Sequence, residues 1–209
     1  MKKSKNRLVT DLKKLAIPVA VSEFKPKEAE VISAALFTEL KNHGGLGLSA
    51  NQLGINKRIC VINVKEPFYL VNPRIVEASE EKYSYMEACL SIPRSLRKPI
   101  KTLRRLSVTV EADNFEGQLD FGPDDDSNWA NNIESFWSDL GFLECVVIQH
   151  EIDHLDGITI KNRQYAQPVT SSKFERNKKY MFKSPDGEME FIKYKKGESL
   201  LSTGWEAMV

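Results

Sequence analysis

The chain has 209 residues, of which 41% are hydrophobic, and its 30 basic and 29 acidic residues give a formal net charge of +1. This length and composition suit one globular domain with a tail, and the balanced charge argues against DNA as a partner. No long apolar run follows the basic residues 1–15. The sequence therefore predicts no signal peptide and no membrane partner, and it favours the cytoplasm.

The three cysteines do not indicate a disulfide framework, because their number is odd and no export signal precedes them. Cys60 lies in a predicted strand and Cys145 on a predicted helix, and both are interpreted as small buried apolar residues. Cys89 could be the same, a metal ligand or a nucleophile.

The first strong element is a helix over residues 26–45. Pro26 suits a first turn, and Gly44 and Gly45 predict the end. Its apolar residues recur at helical spacing and are Val31, Ile32, Ala35, Leu36 and Leu40.

Short β-branched or aromatic segments follow and predict strands at 58–64, 68–78 and 106–113. Asn72-Pro73 should interrupt the second of these strands. The segment 91–105, which contains proline and arginine, is interpreted as a loop or irregular extended chain.

Residues 138–157 predict a helix that is buried on nearly all sides, because apolar residues encircle it. Asp139 lies near its start and Gly157 at its end. Together these elements predict an α+β fold, with short antiparallel or mixed β-sheets around a central buried helix.

Residues 1–163 are predicted to form the main domain, and 164–209 a polar, lysine-rich C-terminal extension. Within that extension, Asp186-Gly187 separates two partly alternating aromatic segments and predicts a hairpin. The acidic loop 122–132 carries no motif.

The segment QHEIDHLDG places His150 and His154 one turn apart on the buried helix, with Glu151 between them. Two imidazoles at this spacing can reach one metal ion, and the glutamate can reach a water beside it. The motif also occurs by chance on exposed helices, but buried charges must be paired or bind metal. Asp153 is predicted to pair with Arg104.

Two histidines leave a metal site incomplete, so the third ligand should be a cysteine or a carboxylate from elsewhere. Cys89, between Glu87 and Leu90 in the segment MEACLSIP, is the candidate. Taken alone, a buried apolar cysteine would be the more common interpretation.

The segment GGLGLSANQLG is glycine-rich but lacks the lysine of a phosphate-binding loop. An ordinary turn after a helix would explain it. The functional alternative is an exposed backbone strand that pairs with a peptide, with the amide of Gln52 available to a carbonyl oxygen.

The segments GLGLSANQ (45–52), EACLS (87–91) and HEIDH (150–154) occur in the order found in peptide deformylases, and together they resemble that family. The resemblance implies a metal-dependent hydrolase that removes the N-formyl group from the initiator methionine of nascent polypeptides and releases formate. N-formyl-Met peptides are then its expected partners.

The resemblance also implies ligands and cofactor. Cys89, His150 and His154 would hold one divalent metal ion, with Fe²⁺ as the first choice and Zn²⁺, Ni²⁺ or Co²⁺ as alternatives. Glu87, Asp153 and Arg104 would support these ligands.

For catalysis, the resemblance implies that Glu151 acts as general base, while the Gln52 side chain and the Leu90 backbone N–H bind the oxyanion. The substrate would pair with the backbone at Gly47 and place its methionine in an apolar pocket. The pocket candidates are Leu46, Tyr85, Leu143, Val146 and Val147, although these residues could simply be core.

Ser49 and Ala88 depart from the family pattern, which has alanine and glycine there. If position 88 needs a positive φ, alanine costs about 1 kcal/mol or more. This keeps open a catalytically weak, metal-stabilised peptide-binding relative.

A metallopeptidase of the H-E-x-x-H type is a further alternative, although His43 is the one histidine left as a third ligand. The basic tail could associate weakly with ribosomes, although a solvated tail is the more common outcome.

Overall fold

The computed structural model describes residues 8–93, 98–124, 139–163, 177, 179–197, 200 and 205–208. The chain divides into two compact units, Met1–Tyr165 and Ala166–Val209. Helices and short antiparallel strands mix in the first unit, which confirms the predicted α+β class. No helix within the described ranges has the length and apolarity needed to cross a bilayer.

The helices of the first unit differ greatly in length, and a short 3-10 helix covers Ala50–Leu53. The α-helices are α1 (Leu12–Leu15), α2 (Glu28–His43) and α3 (Leu140–Leu155). The strands are β1 (Gly47–Ser49), β2 (Ile59–Ile62), β3 (Phe68–Val71), β4 (Arg74–Ala78), β5 (Lys82–Glu87), β6 (Ile100–Arg105), β7 (Val108–Glu111) and β8 (Leu119–Phe121).

Helix α2 confirms the first predicted helix and packs against the sheet that leads into the site. It ends at Gly44, whose φ of 71° is the left-handed conformation that glycine adopts without cost. Leu36 and Leu40 are buried against β1 and β2, whereas Val31 is 68% exposed and lies outside the buried face.

Strands β1, β2 and β3 form one antiparallel sheet in that order. Gly47 pairs with Ile62 and Ser49 with Cys60. All four residues of β2 are buried, because α2 and α3 both pack against this sheet. The sheet therefore fixes β1 beside the central helix.

The predicted interruption at Asn72-Pro73 is confirmed, since β3 ends and β4 begins on either side of it. Asn72 has a φ of 49°, a left-handed conformation that asparagine tolerates better than most residues. Its side chain hydrogen-bonds the backbone of Ser22 and the carboxylate of Asp113. The bend is therefore held by side-chain contacts on both sides.

The expectation of a loop over 91–105 is wrong for its second half, because Ile100–Arg105 forms strand β6. This strand pairs with β5, which the sequence did not predict. The residues of β6 that face inward include Thr102 and Arg104, both buried. A strand whose buried face is polar gives no hydrophobic alternation, so the usual sequence signal is missing.

Strand β7 confirms the predicted strand at 106–113 and lies between β4 and β8 in a third sheet. Strand β8 was not predicted. Most of the acidic loop 122–132 lies outside the described residues.

Helix α3 confirms the predicted central helix. It begins after Asp139, whose carboxylate accepts a hydrogen bond from the Phe142 N–H at 2.8 Å. It is buried along nearly its whole length and packs against β1, β2, β6 and β8. Cys60 and Cys145 are both buried, as expected for small apolar residues.

The second unit contains β9 (Lys179–Lys183), β10 (Met189–Lys193), α4 (Tyr194–Gly197) and β11 (Glu206–Met208). Strands β9 and β10 are antiparallel neighbours, which confirms the hairpin predicted at Asp186-Gly187. Gly187 takes a φ of 92°, as the turn requires.

Candidate metal and active site

Helix α3 presents the two histidines of the HEIDH segment on one side. The rings of His150 and His154 lie 4.8 Å apart between centroids, and both residues are buried. Burial lowers the pKa of His154. His154 is therefore held as a neutral imidazole, the form that binds a metal.

Cys89 follows strand β5 and reaches the same point. Its Sγ lies 3.2 Å from Nε2 of His154, and the ligand atoms of Cys89, His150 and His154 all lie within 4.8 Å of one another. One thiolate and two imidazoles form a donor set that suits a divalent transition metal. These three residues, called the donor group below, thus fit a metal site.

His43 is the last residue of α2, and its Nε2 is 3.5 Å from a carboxylate oxygen of Glu39. In the part of the chain that the structure describes, His43 is not one of the residues whose ligand atoms could share a metal ion. The arrangement therefore does not favour a metallopeptidase whose third ligand is histidine.

Glu87, the last residue of β5, contacts one member of the donor group, His150. Its Oε2 accepts a hydrogen bond from Nδ1 of His150 at 2.6 Å, which leaves Nε2 of that ring for a metal. Its two oxygens also bind the guanidinium of Arg104 at 2.6 and 2.9 Å, and Thr102 donates to Oε1. Burial raises the pKa of Glu87, but the bonds from His150 and Arg104 outweigh it and hold the pKa at about 2.

Arg104 connects Glu87 to Asp153, as the sequence analysis expected for Asp153. Its Nη1 lies 2.5 Å from Oδ2 of Asp153. Burial lowers the pKa of Arg104, but the two carboxylates raise it overall, so the guanidinium stays charged.

Arg163 is a second partner of Asp153, at 2.8 and 3.0 Å, which the sequence analysis missed. It lies ten residues after Asp153, beyond the end of the helix, where no periodic pattern relates the two.

Glu151 is 3% exposed, and its Oε2 accepts a hydrogen bond from the hydroxyl of Ser49 at 2.9 Å. Burial raises the pKa of Glu151 to about 7, although the charge of His150 and the bond from Ser49 act in the opposite direction. A carboxylate with this pKa can take up and release a proton near neutral pH. Ser49 lies 102 residues before Glu151, so no spacing in the sequence indicates this contact.

Gln52 is fixed within the 3-10 helix, close to the donor group. Its Nε2 donates to Oγ of Ser91 at 3.1 Å and lies 3.8 Å from Sγ of Cys89. Leu90 follows Cys89 in the chain, at the start of a turn, and both residues line the same cavity. Both groups are therefore near the point where the three donors meet.

The strain expected at Ala88 is absent. Among the described residues other than glycine, positive φ values occur at Lys27 and Asn72 but not at Ala88. Ala88 is also exposed, so its methyl group displaces no buried atom. The replacement of glycine by alanine therefore does not disturb the backbone that positions Cys89.

A cavity of about 350 Å³ opens beside the donor group. The residues that the sequence analysis proposed for the substrate all line it, and Met86 and His43 lie at it as well. These residues are Leu46, Gly47, Tyr85, Leu143, Val146 and Val147. A larger surface depression of about 590 Å³, near Asn72 and Phe115, contains none of the metal donors.

A family model described as polypeptide deformylase matches residues 9–170. A peptide deformylase from Heliobacterium modesticaldum is 39% identical over 129 residues, which cover 61% of this chain and 72% of the relative. One from Desulforudis audaxviator is 33% identical over 138 residues, covering 65% of this chain and 77% of the relative.

Solved structures give the same result. A probable peptide deformylase from Synechococcus phage S-SSM7 superposes with a TM-score of 0.59 at 28% identity, covering 75% of this chain and 98% of that one. A peptide deformylase from the Vibrio parahaemolyticus bacteriophage VP16T has a TM-score of 0.57 at 26% identity, covering 73% and 97%. The family match spans most of the chain and includes every residue of the donor group, and the chain belongs to the polypeptide deformylase family.

Proposed function

We propose that this chain hydrolyses the N-formyl group on the initiator methionine of nascent polypeptides, giving formate and a free amine. The observation that carries the proposal is that Cys89, His150 and His154 lie together, and that Cys89 and His150 line one cavity with Glu151 and Gln52. We assign this reaction to the domain formed by residues 1–163 and treat 164–209 as an extension. Limited proteolysis tests this division, since a stable product ending well before residue 163 would contradict it.

Cys89, His150 and His154 are the proposed ligands of one divalent ion. When bound, the ion supplies a Lewis acid and a water molecule acidic enough to ionise near pH 7. We propose Fe²⁺ as the metal, and Zn²⁺, Ni²⁺ and Co²⁺ also suit a thiolate and two imidazoles. Glu87, Arg104 and Asp153 keep these ligands in place through their ion pairs.

Glu151 acts as the general base and then as the general acid. Its carboxylate takes the proton from the attacking water and later delivers it to the leaving amine. The position of Glu151 supports this role, because it lines the same cavity as Cys89 and His150.

Gln52 and Leu90 stabilise the charge that develops on the formyl oxygen. The side-chain N–H of Gln52 and the backbone N–H of Leu90 are the proposed donors to this oxyanion. Both lie next to Cys89, so they can reach an oxygen at the metal site.

The cavity is the proposed binding site for the first residue of the substrate. We propose that the methionine side chain lies against Leu46, Tyr85, Leu143, Val146 and Val147. Gly47, in strand β1, would pair its backbone with the substrate main chain as an added strand. Since nascent chains are made in the cytoplasm, we place the reaction there, and recovery of the protein only with membranes after fractionation would contradict this.

The direct test is formate release from a formyl-Met peptide and from its acetyl-Met counterpart, with protein purified without oxygen and analysed for metal. We expect one transition-metal ion per chain, with iron as the main metal found. The protein should hydrolyse the formyl-Met peptide but not the acetyl-Met peptide. The Glu151→Gln variant should keep the ion but lose about 10³-fold in kcat, because the base is gone. Equal turnover by this variant, or an ion-free wild type that still releases formate, would refute the mechanism.

Gly47→Ala tests whether the close approach of β1 to α3 positions the base. A Cβ at this position would lie 2.7 Å from Oε1 of Glu151 and 2.7 Å from Cγ1 of Val147. Glu151 must therefore move, and we expect kcat to fall by about 100-fold while the ion stays bound.

Gly122→Ala is the matched control, because its Cβ meets the Ser107 side chain at 3.0 Å, away from the site. Its kcat should equal that of the wild type. An unchanged kcat in Gly47→Ala would show that this contact does not position Glu151.

We further propose that the second unit associates weakly with ribosomes through ribosomal RNA. Lys193 of β10 pairs with Lys179 of β9, and Lys183 lies four residues after Lys179 in β9. Because side chains alternate between the two faces of a strand, these three exposed lysines share one sheet face. Phe191 is 58% exposed on this face, with the ammonium of Lys179 5.8 Å from its ring centroid. Cations beside an exposed aromatic ring suit single-stranded RNA.

Co-sedimentation of the full chain with ribosomes over a range of salt concentrations tests this. The triple variant Lys179→Gln, Lys183→Gln, Lys193→Gln should bind more weakly, with a slope against log salt shallower by about two. A control with Lys13, Lys14 and Lys41 changed to Gln, all exposed in the first unit, should behave as the wild type. Equal binding by the two triple variants would end the proposal.

A further inference from the structure

Ser49 occupies the junction between strand β1 and the 3-10 helix and is fully buried. It stands where the family pattern has alanine, so its hydroxyl is an addition to the common motif. Two of the residues to which the proposed function assigns chemistry, Gln52 and Glu151, both lie within hydrogen-bond distance of this side chain.

The hydroxyl oxygen of Ser49 lies 2.9 Å from Oε2 of Glu151 and 3.0 Å from Oε1 of Gln52. The backbone N–H of Ser49 also donates to the same Oε1 of Gln52, at 2.9 Å. Because a hydroxyl has one proton and a bond to a carboxylate is the stronger one, the hydroxyl donates to Glu151 when that group is ionised. The backbone N–H then holds Gln52.

These contacts fix which way the Gln52 amide faces. Its oxygen is directed to Ser49, so its nitrogen must be directed to the other side, where it reaches Ser91 and Cys89. The amide nitrogen carries two protons, and the bond to Oγ of Ser91 at 3.1 Å uses one of them. The second proton is directed toward the metal ligands, where an oxyanion would form.

The same contact fixes the Glu151 carboxylate. Within the described ranges, Ser49 supplies the side-chain hydrogen bond that this carboxylate accepts. Its other oxygen lies against Gly47, where no side chain intervenes. Without the hydroxyl, Oε2 would be buried without a donor and the carboxylate could rotate.

We propose that Ser49 is a positioning residue whose hydroxyl holds the carboxylate of Glu151, the general base, while its backbone N–H holds the oxygen of the Gln52 amide. The proposal rests on the proposed function, because it concerns the same reaction. It adds that the buried hydroxyl fixes the orientation of the Glu151 carboxylate, which α3 alone does not determine.

Steady-state kinetics of Ser49→Ala, prepared as the metal-loaded full chain, tests the proposal. We expect kcat to fall about tenfold, since one charge-assisted hydrogen bond is lost, while KM stays within twofold. Metal content per chain should equal that of the wild type. Ser33→Ala is the matched control, because Ser33 is also buried but bonds locally to the Glu30 carbonyl at 3.0 Å, and its kcat should not change.

Two double-mutant cycles separate positioning of Glu151 from a general loss of structure. If the hydroxyl acts through Glu151, Ser49→Ala costs little further kcat in a Glu151→Gln background but the full tenfold in a Gln52→Ala background. Equal losses in the two backgrounds, or an unchanged kcat in Ser49→Ala, would overturn the proposal. Wild-type formate release is measured alongside, so failure of the proposed function itself would be seen separately.

Discussion

The carboxylate of Glu87 is the contact on which the site depends. It accepts a hydrogen bond from His150 on α3 and two from Arg104 on β6, while itself lying at the end of β5. Strands β5 and β6 and the distant helix α3 are thereby joined at one buried carboxylate. Because Cys89 follows Glu87 by two residues, the same contact that orients the imidazole also brings the thiolate to it.

Burying so many charges is costly unless each has partners. Here Arg104 forms ion pairs with both Glu87 and Asp153, and Arg163 forms a second ion pair with Asp153. Glu151, by contrast, has no cation in direct contact among the described residues, and burial raises its pKa to about 7. The chain therefore separates Glu87, whose pKa is lowered where it contacts His150 and Arg104, from Glu151, whose pKa burial raises.

The sequence predicts the parts of this structure that rest on apolar periodicity or short-range motifs. Helices α2 and α3, strands β2 and β7, and the break at Asn72 follow from these patterns. Strands β5 and β6 could not be predicted in the same way, because their buried face is built from Glu87, Thr102 and Arg104 rather than from apolar residues.

Spacing along the chain places His150 and Glu151 on one helix, but it cannot show that Ser49 contacts Glu151 across 102 residues, or that Arg163 returns to Asp153. Such contacts depend on tertiary packing. The same is true of Ala88, where a family pattern suggested backbone strain that the fold does not impose.

The most direct test of this account is the affinity of Glu87→Gln for a divalent metal, measured by chelator competition without oxygen beside the wild type. The amide can still accept a bond from His150, but it loses the charge that binds Arg104. We predict that the wild type binds one ion. The variant should bind it about 10- to 100-fold more weakly, which is typical when a group that orients a metal ligand is changed. Equal affinity in the two proteins would contradict the central role of this carboxylate.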